Sequence, residues 1–198
     1  MILICGCGRS GTKYITQVLR KCGLDVGHEK LGKDGIVSSL WTIDVDKYPP
    51  YHIQGPQPEF DIILHQVRNP LDTIGSLLTS LPESWEFNCR HTPLKMSDPL
   101  PKRAAEYWYY WNLLAEKRAI WTYQVESLHY NWDTFCAYLN LDVSYDLIKD
   151  IPRNVNTRKH QQIDWDWLER ATPEHYKDIL RLVVRYGYTT QSVHSYSS

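Results

Sequence analysis

Glycine, serine and basic residues are concentrated near the start of the chain, in a pattern that suits the binding of an anion. The apolar run at residues 2–5 predicts a buried strand, residues 6–11 form a glycine-rich loop, and a helical pattern begins at Thr12. The N–H groups of such a loop and of the helix N-terminus attract a phosphate, and Arg9 and Lys13 add positive charge. The residues assigned to this anion site are Gly8, Arg9, Ser10, Gly11, Thr12 and Lys13.

The order of residues after the loop argues against a magnesium-dependent nucleoside-triphosphate site. Such a loop has two glycines separated by four residues, followed by Lys and then by Ser or Thr. The spacing from Gly6 to Gly11 fits, but Thr12 and Lys13 stand in the reverse order. This order turns the lysine by about 100° around the helix and removes the metal-binding hydroxyl. A P-loop kinase or nucleotidase remains an alternative.

A second basic residue follows another predicted strand. The apolar run at residues 62–67 ends in Arg68, and Asn69 with Pro70 predicts the start of a helix. Arg68 is therefore expected at the carboxyl end of a strand, with Ser76 about two turns into the helix. A guanidinium at this position binds a phosphate through two hydrogen bonds. Two separate phosphate sites predict a nucleotide that is phosphorylated at both ends.

At these motifs the sequence resembles the sulfotransferases that use 3′-phosphoadenosine 5′-phosphosulfate (PAPS). Arg-Ser-Gly-Thr at residues 9–12 is similar to that family's 5′-phosphosulfate loop, and residues 68–70 with Ser76 are similar to its 3′-phosphate motif. Gly-His-Glu at residues 27–29 looks most like the tyrosylprotein and bacterial branches. The resemblance implies a P-loop-type α/β domain that moves a sulfuryl group from PAPS to a hydroxyl or amine of a small-molecule or carbohydrate acceptor. It also implies release of 3′-phosphoadenosine 5′-phosphate (PAP) and no metal.

The resemblance implies three catalytic residues. Glu29 lies in the Gly-x-Glu context in which the family has its base, and His28 is the alternative because other branches use a histidine. Arg9 is expected to stabilise negative charge on the departing phosphate oxygen. The alternative to catalysis is a nucleotide-binding protein of the same fold that has lost the chemistry.

Three further residues are assigned to the nucleotide by the resemblance. Arg158 and Lys159 match the basic loop that the family closes over the 3′-phosphate, although His160 stands in place of the usual glycine. Val125 stands where the family usually has a tyrosine. Tyr123 lies two residues earlier on the same strand face, and we expect it to substitute for that tyrosine.

Composition sets the wider frame. The 198 residues predict one domain at residues 1–190, with a frayed tail at 191–198. A net charge of −1 does not favour nucleic acid as a partner. The five cysteines form no CxxC pair, and no leader or spanning segment precedes the first strand, so we expect a cytoplasmic protein that is not bound to a membrane. Oligomeric state is left open.

The apolar patterns predict a mostly parallel sheet of four or five strands flanked by helices. The second strand, at residues 24–27, is expected beside the first. Residues 30–58 and 82–101 are predicted to be irregular. We expect the first of these segments to shape the acceptor pocket and the second to form a flap over the site.

Overall fold

The computed structural model describes residues 1–43, 58–153 and 159–190, which form an α/β domain. The strands are Ile2–Cys5 (β1), Val26–His28 (β2), Gly35–Val37 (β3), Ile62–Val67 (β4) and Trp121–Gln124 (β5). The helices are Thr12–Lys21 (α1), Pro70–Leu77 (α2), Pro82–His91 (α3), Leu100–Arg118 (α4), Trp132–Leu139 (α5), Trp165–Ala171 (α6) and Tyr176–Arg185 (α7). Short 3₁₀ turns lie at Leu40–Thr42 and Tyr145–Leu147.

The five strands of the described residues form one parallel sheet in the order β2-β3-β1-β4-β5. All four residues of β1 are buried, as befits a central strand. β1 pairs with β3 on one side and with β4 on the other, so the sheet extends in opposite directions from β1. In open α/β sheets ligands bind at such a switch point, outside the carboxyl ends of the strands. The structure confirms the predicted α/β class and parallel sheet.

Three sequence predictions about the elements are wrong. The second strand does not lie beside the first, because β3 lies between β2 and β1. β3 and the 3₁₀ turn at Leu40–Thr42 fall in the segment 30–58 that was predicted to be irregular; residues 44–57 of it lie outside the described residues. Residues 82–91 of the second irregular segment form α3.

Helices cover both faces of the sheet. Ile4 and Leu64 pack with the buried residues of α1 and α5 on one face. Leu3 faces the opposite side, where Ala115 of α4 packs against it. This split follows from the alternation of side chains along a strand. The helices α2, α3, α4, α6 and α7 contribute to a common core cluster, and the carboxyl edge of the sheet opens between this layer and the layer of α1 and α5.

A buried histidine joins three elements behind the carboxyl edge. His65 of β4 has no exposed surface. Its Nδ1 lies 3.1 Å from Thr122 Oγ1 of β5, and its Nε2 lies 3.0 Å from Asn112 Oδ1 of α4. Burial lowers the pKa of His65 from 6.5 to about 4.

We expect this histidine to make the fold sensitive to acid. In the unfolded chain the imidazole binds a proton near pH 6.5, so the unfolded state binds more protons than the folded state as the pH falls towards 4. The contribution of His65 to stability is complete above pH 6.5, and about 2 kcal/mol of it is lost between pH 7 and pH 5. Urea unfolding curves at the two pH values measure the change. His65→Gln should show a smaller change, and an equal loss in that variant would contradict the prediction.

Candidate functional site

A cavity of about 400 Å³ opens at the carboxyl edge of the sheet. Its lining comes from the loop between β1 and α1, from residues at the ends of β2, β4 and β5, and from α2, α3 and α4. The predicted site residues that line it are Gly8, Arg9, Gly11, Thr12, Lys13, His28, Glu29 and Arg68. Two distant segments of the sequence thus meet in one cavity.

The N-terminus of α1 is open to a ligand. Gly11 is the N-cap residue, with a φ of 90°, and no side chain among the described residues caps this helix. The N-terminus of α2 is different, because Asn69 Oδ1 accepts hydrogen bonds from Leu71 N and Asp72 N at 3.0 and 3.3 Å. The first-turn N–H groups of an uncapped helix require acceptors from water or from a bound anion.

Gln66 of β4 holds the glycine-rich loop. Its Nε2 donates to Ser10 O at 2.7 Å, and a Cβ on Gly6 would lie 2.3 Å from the Gln66 carbonyl oxygen. The close approach explains why a glycine stands at position 6. From the opposite layer, the N–H of Gly8 donates to the Tyr107 hydroxyl of α4 at 3.3 Å. The loop is therefore fixed by both the sheet and a helix.

Tyr123, which the resemblance assigns to the nucleotide, does not line the cavity. Its side chain is buried in the core, and its hydroxyl donates to Gln66 Oε1 at 2.8 Å. It acts on the loop through Gln66. Val125, where the family usually has a tyrosine, is the residue of this segment that lines the cavity.

Ser10 also lies outside the cavity lining. The residue is 1 % exposed, and its hydroxyl has no hydrogen-bond partner among the described residues. An unpaired buried hydroxyl is costly, so this loop has an unused donor beside an uncapped helix. Both features suit an anion.

Arg9 and Arg68 connect the two predicted phosphate motifs. The Nε of Arg9 donates to the buried hydroxyl of Ser76 at 2.9 Å. Arg68 Nη1 donates to the Arg9 carbonyl oxygen at 3.3 Å, and its Nη2 lies 3.8 Å from Asp72 Oδ2. Ser76 therefore contacts the loop arginine, although it does not line the cavity itself.

His28 and Glu29 lie together at the end of β2. His28 Nε2 is 3.0 Å from Thr12 Oγ1, and burial lowers the pKa of His28 below its ordinary value, against the opposing effect of the Glu29 carboxylate. Glu29 has a φ of 51°. Its carboxylate accepts hydrogen bonds from the Ser38 hydroxyl and, at 3.0 Å, from both the N–H and the hydroxyl of Ser39. These serines follow β3, so the missed strand positions the candidate base.

Two further charged residues line the cavity, Glu126 and Lys13, and they differ in their hydrogen bonds and ion pairs. Glu126 accepts from Asn69 N at 2.6 Å and from the Tyr188 hydroxyl at 3.0 Å. Lys13 lines the cavity and forms no ion pair with a described residue. The ammonium group of Lys13 is therefore available to a bound anion, whereas the Glu126 carboxylate already accepts hydrogen bonds and is less available to a cation.

Arg153 is a basic lining residue that the sequence analysis missed. It donates to Glu126 O at 3.2 Å and to the Tyr145 hydroxyl at 3.1 Å. The basic residues predicted to bind the nucleotide, Arg158 and Lys159, belong to the run 154–160, which begins immediately after Arg153. Of that run, Lys159 is exposed and does not line the cavity, and Arg158 lies outside the described residues.

An apolar wall from α2 and α3 completes the cavity. Leu77, Phe87 and Asn88 line it, and each is at least nine-tenths buried. Tyr107 of α4 lies beside them, with its pKa raised well above the ordinary value by burial, so its phenol stays protonated. The α3 segment was predicted to form a flap, and no lining residue was predicted on it.

No family model matches the chain, and no curated protein matches it. Within the described residues, no cluster of three or more His, Cys, Asp and Glu side chains is placed to hold a metal ion. No helix in the same residues is both long and apolar enough to cross a membrane.

Proposed function

We propose that this protein is a P-loop-type sulfotransferase that moves a sulfuryl group from PAPS to a hydroxyl or amine of a small acceptor. The observation that carries the proposal is that Arg68, from the second motif, and Arg9, in the glycine-rich loop, line one cavity, with Arg68 Nη1 3.3 Å from the Arg9 carbonyl oxygen. Two basic groups at the edge of one cavity suit a nucleotide with phosphates at both ends. The sequence resemblance supplies the identity of that nucleotide.

The residues fit PAPS in the following way. The first-turn N–H groups of α1 and the ammonium group of Lys13 suit the 5′-phosphosulfate. Arg68 suits the 3′-phosphate, which would compete with Asp72 for the guanidinium. Arg153 adds a second cation to the same cavity.

When bound, PAPS supplies an activated sulfuryl group. Glu29, with His28 as the alternative, takes the proton of the acceptor hydroxyl or amine while that oxygen or nitrogen forms its bond to sulfur. Arg9 and the loop N–H groups stabilise the electron pair that remains on the 5′-phosphate oxygen of PAP when its bond to sulfur breaks. Because the transition states of such transfers are loose, the protein acts chiefly by positioning and by charge stabilisation.

We expect PAP to stabilise the protein more than ADP or ATP does, with or without magnesium. At a concentration of one hundred times its Kd, PAP should raise Tm by about 5–10 °C. Arg68→Ala should remove the advantage of PAP over ADP, because of these nucleotides only PAP carries a 3′-phosphate. Thermal unfolding with each nucleotide measures the shifts. Arg170→Ala, at an exposed residue of α6 outside the cavity lining, is the matched control.

Other outcomes of the same experiment favour other functions. An equal or larger shift with ATP, increased by magnesium, would support a P-loop kinase or nucleotidase. Stabilisation by PAP without transfer from labelled PAPS to any hydroxyl or amine acceptor would support a nucleotide-binding protein that has lost the chemistry. The order of Thr12 and Lys13 argues against the first alternative.

A further inference from the structure

The side of the cavity formed by α2 and α3 differs in chemistry from the side formed by the loops. Three basic lining residues, Arg9, Lys13 and Arg68, belong to the loop between β1 and α1, to the start of α1 or to the segment just after β4. The lining residues of α2, α3 and the turn between them that follow Asp72 carry no charge. They are Leu77, Ser80, Leu81, Ser84, Phe87 and Asn88.

Asn88 is the exceptional residue on this wall. It is 6 % exposed, and its side-chain amide forms no hydrogen bond with another described residue. Phe87, which precedes it, is 4 % exposed and belongs to the core cluster. The residue lines the cavity, and its amide is not among the polar groups that are both closed off and unpaired, so the amide is open to a ligand group that completes its hydrogen bonds.

The cavity is also small for two reactants. Its volume of about 400 Å³ lies near the lower end of the range for pockets that hold one drug-sized ligand. At the rim, Leu81 is 62 % exposed. The acceptor must therefore be small, or extend past Leu81 into solvent.

We propose that the side of the cavity formed by α2 and α3 is the acceptor subsite. It selects a small, uncharged hydroxyl compound with an apolar skeleton and one hydrogen-bonding group besides the hydroxyl. This inference rests on the proposed function. The skeleton packs against Leu77 and Phe87, and the hydrogen-bonding group pairs with the Asn88 amide. An anionic acceptor, such as an acidic peptide or an acidic sugar chain, would bring an unpaired charge to this wall.

A matched pair of probes tests the selectivity. 4-(Hydroxymethyl)benzamide and 4-(hydroxymethyl)benzoate have the same shape and differ in charge. With PAP at saturation, the dissociation constant of the benzamide should be at least about tenfold lower than that of the benzoate. A lower dissociation constant for the benzoate, or no binding of the benzamide, would overturn the inference.

Asn88→Leu tests the role of the amide. It should weaken binding of the benzamide about tenfold and leave binding of 4-methylbenzyl alcohol unchanged, because that compound has no polar group besides the hydroxyl that is to react. It should leave Tm of the free protein unchanged within about 2 °C, since no hydrogen bond to another described residue is removed. A lowered Tm, or equal weakening of both probes, would assign Asn88 a structural role instead.

Titration with PAP distinguishes failure of the acceptor inference from failure of the proposed function. If PAP stabilises both the wild-type protein and Asn88→Leu while the benzoate is the tighter probe, the acceptor inference fails and the proposed function stands. If PAP binds neither protein, the proposed function fails, and the acceptor inference fails with it.

Discussion

Arg9→Gly is expected to lower kcat for sulfuryl transfer by about 10²–10³-fold while leaving the fold intact. Arg9 belongs to the glycine-rich loop that leads into the uncapped N-terminus of α1, its side chain donates to Ser76 of α2, and the residue lines the cavity in which charge develops on the departing phosphate oxygen in the proposed reaction. Removing one donor of this kind typically costs that factor. The measurement is the rate of PAP release from PAPS in the presence of a mixed set of hydroxyl and amine acceptors.

Glycine is the informative substitution at this position. Arg9 has a φ of 71°, a conformation that costs energy for a residue with a Cβ and that glycine adopts freely. Arg9→Gly gains this backbone freedom and loses the hydrogen bond to the buried Ser76 hydroxyl, so the two effects oppose each other and Tm should change by no more than about 4 °C. A loss of rate in a protein of undiminished stability separates a catalytic role of the side chain from a structural one.

Arg9→Lys serves as the companion variant. Lysine keeps the positive charge but cannot form the paired hydrogen bonds of a guanidinium. We expect it to retain part of the activity that Arg9→Gly loses. Unchanged kcat in Arg9→Gly would contradict the proposed role of this residue and leave the ammonium group of Lys13 as the loop cation to test.

The parts of the site that could be predicted from sequence are encoded locally. The buried run of β1, the glycines after it and the helical pattern from Thr12 are all visible in one short segment. The start of α2 is equally clear, because Asn69 caps it and Pro70 takes its first position. Arg68 lies immediately before that cap, so its place at the carboxyl edge followed from neighbouring residues.

The parts that were missed depend on contacts between distant residues. β3 has three residues, too few for a periodic pattern, and it lies between β1 and β2 through pairings on both sides. The hydrogen bonds from Ser38 and Ser39 to Glu29 depend on this strand order. Propensity and periodicity do not report strand order.

α3 was missed for a different reason. Its large apolar residues Trp85 and Phe87 are two positions apart, which is the spacing of a strand rather than of a helix face. Both are buried in the core cluster that α3 shares with α4. Asn88 follows them and resembles a loop residue by type, so its position in the cavity could not be inferred without the helix.

Glu29→Gln is expected to lower kcat by about 10²–10⁴-fold without weakening the binding of PAP. This loss is the usual contribution of a general base, and the amide cannot accept the acceptor proton. Glutamine preserves the shape of the side chain, and its oxygen can still accept the hydrogen bonds from Ser39. The rate is measured by transfer from labelled PAPS, and PAP binding by thermal shift.

Two further variants decide how such a loss is interpreted. Ser38→Ala removes one hydrogen bond to the Glu29 carboxylate and leaves the carboxylate in place, so a smaller loss of rate is expected than in Glu29→Gln.

His28→Asn tests the alternative base, whose Nε2 lies 3.0 Å from Thr12 Oγ1. If Glu29→Gln keeps its rate and His28→Asn loses it, the proton goes to the imidazole. Because burial lowers the pKa of His28, the imidazole would then be neutral at pH 7, and the rate would fall only at a pH below the ordinary pKa of histidine. If both variants keep the wild-type rate, neither residue is the base and the proposed mechanism is wrong.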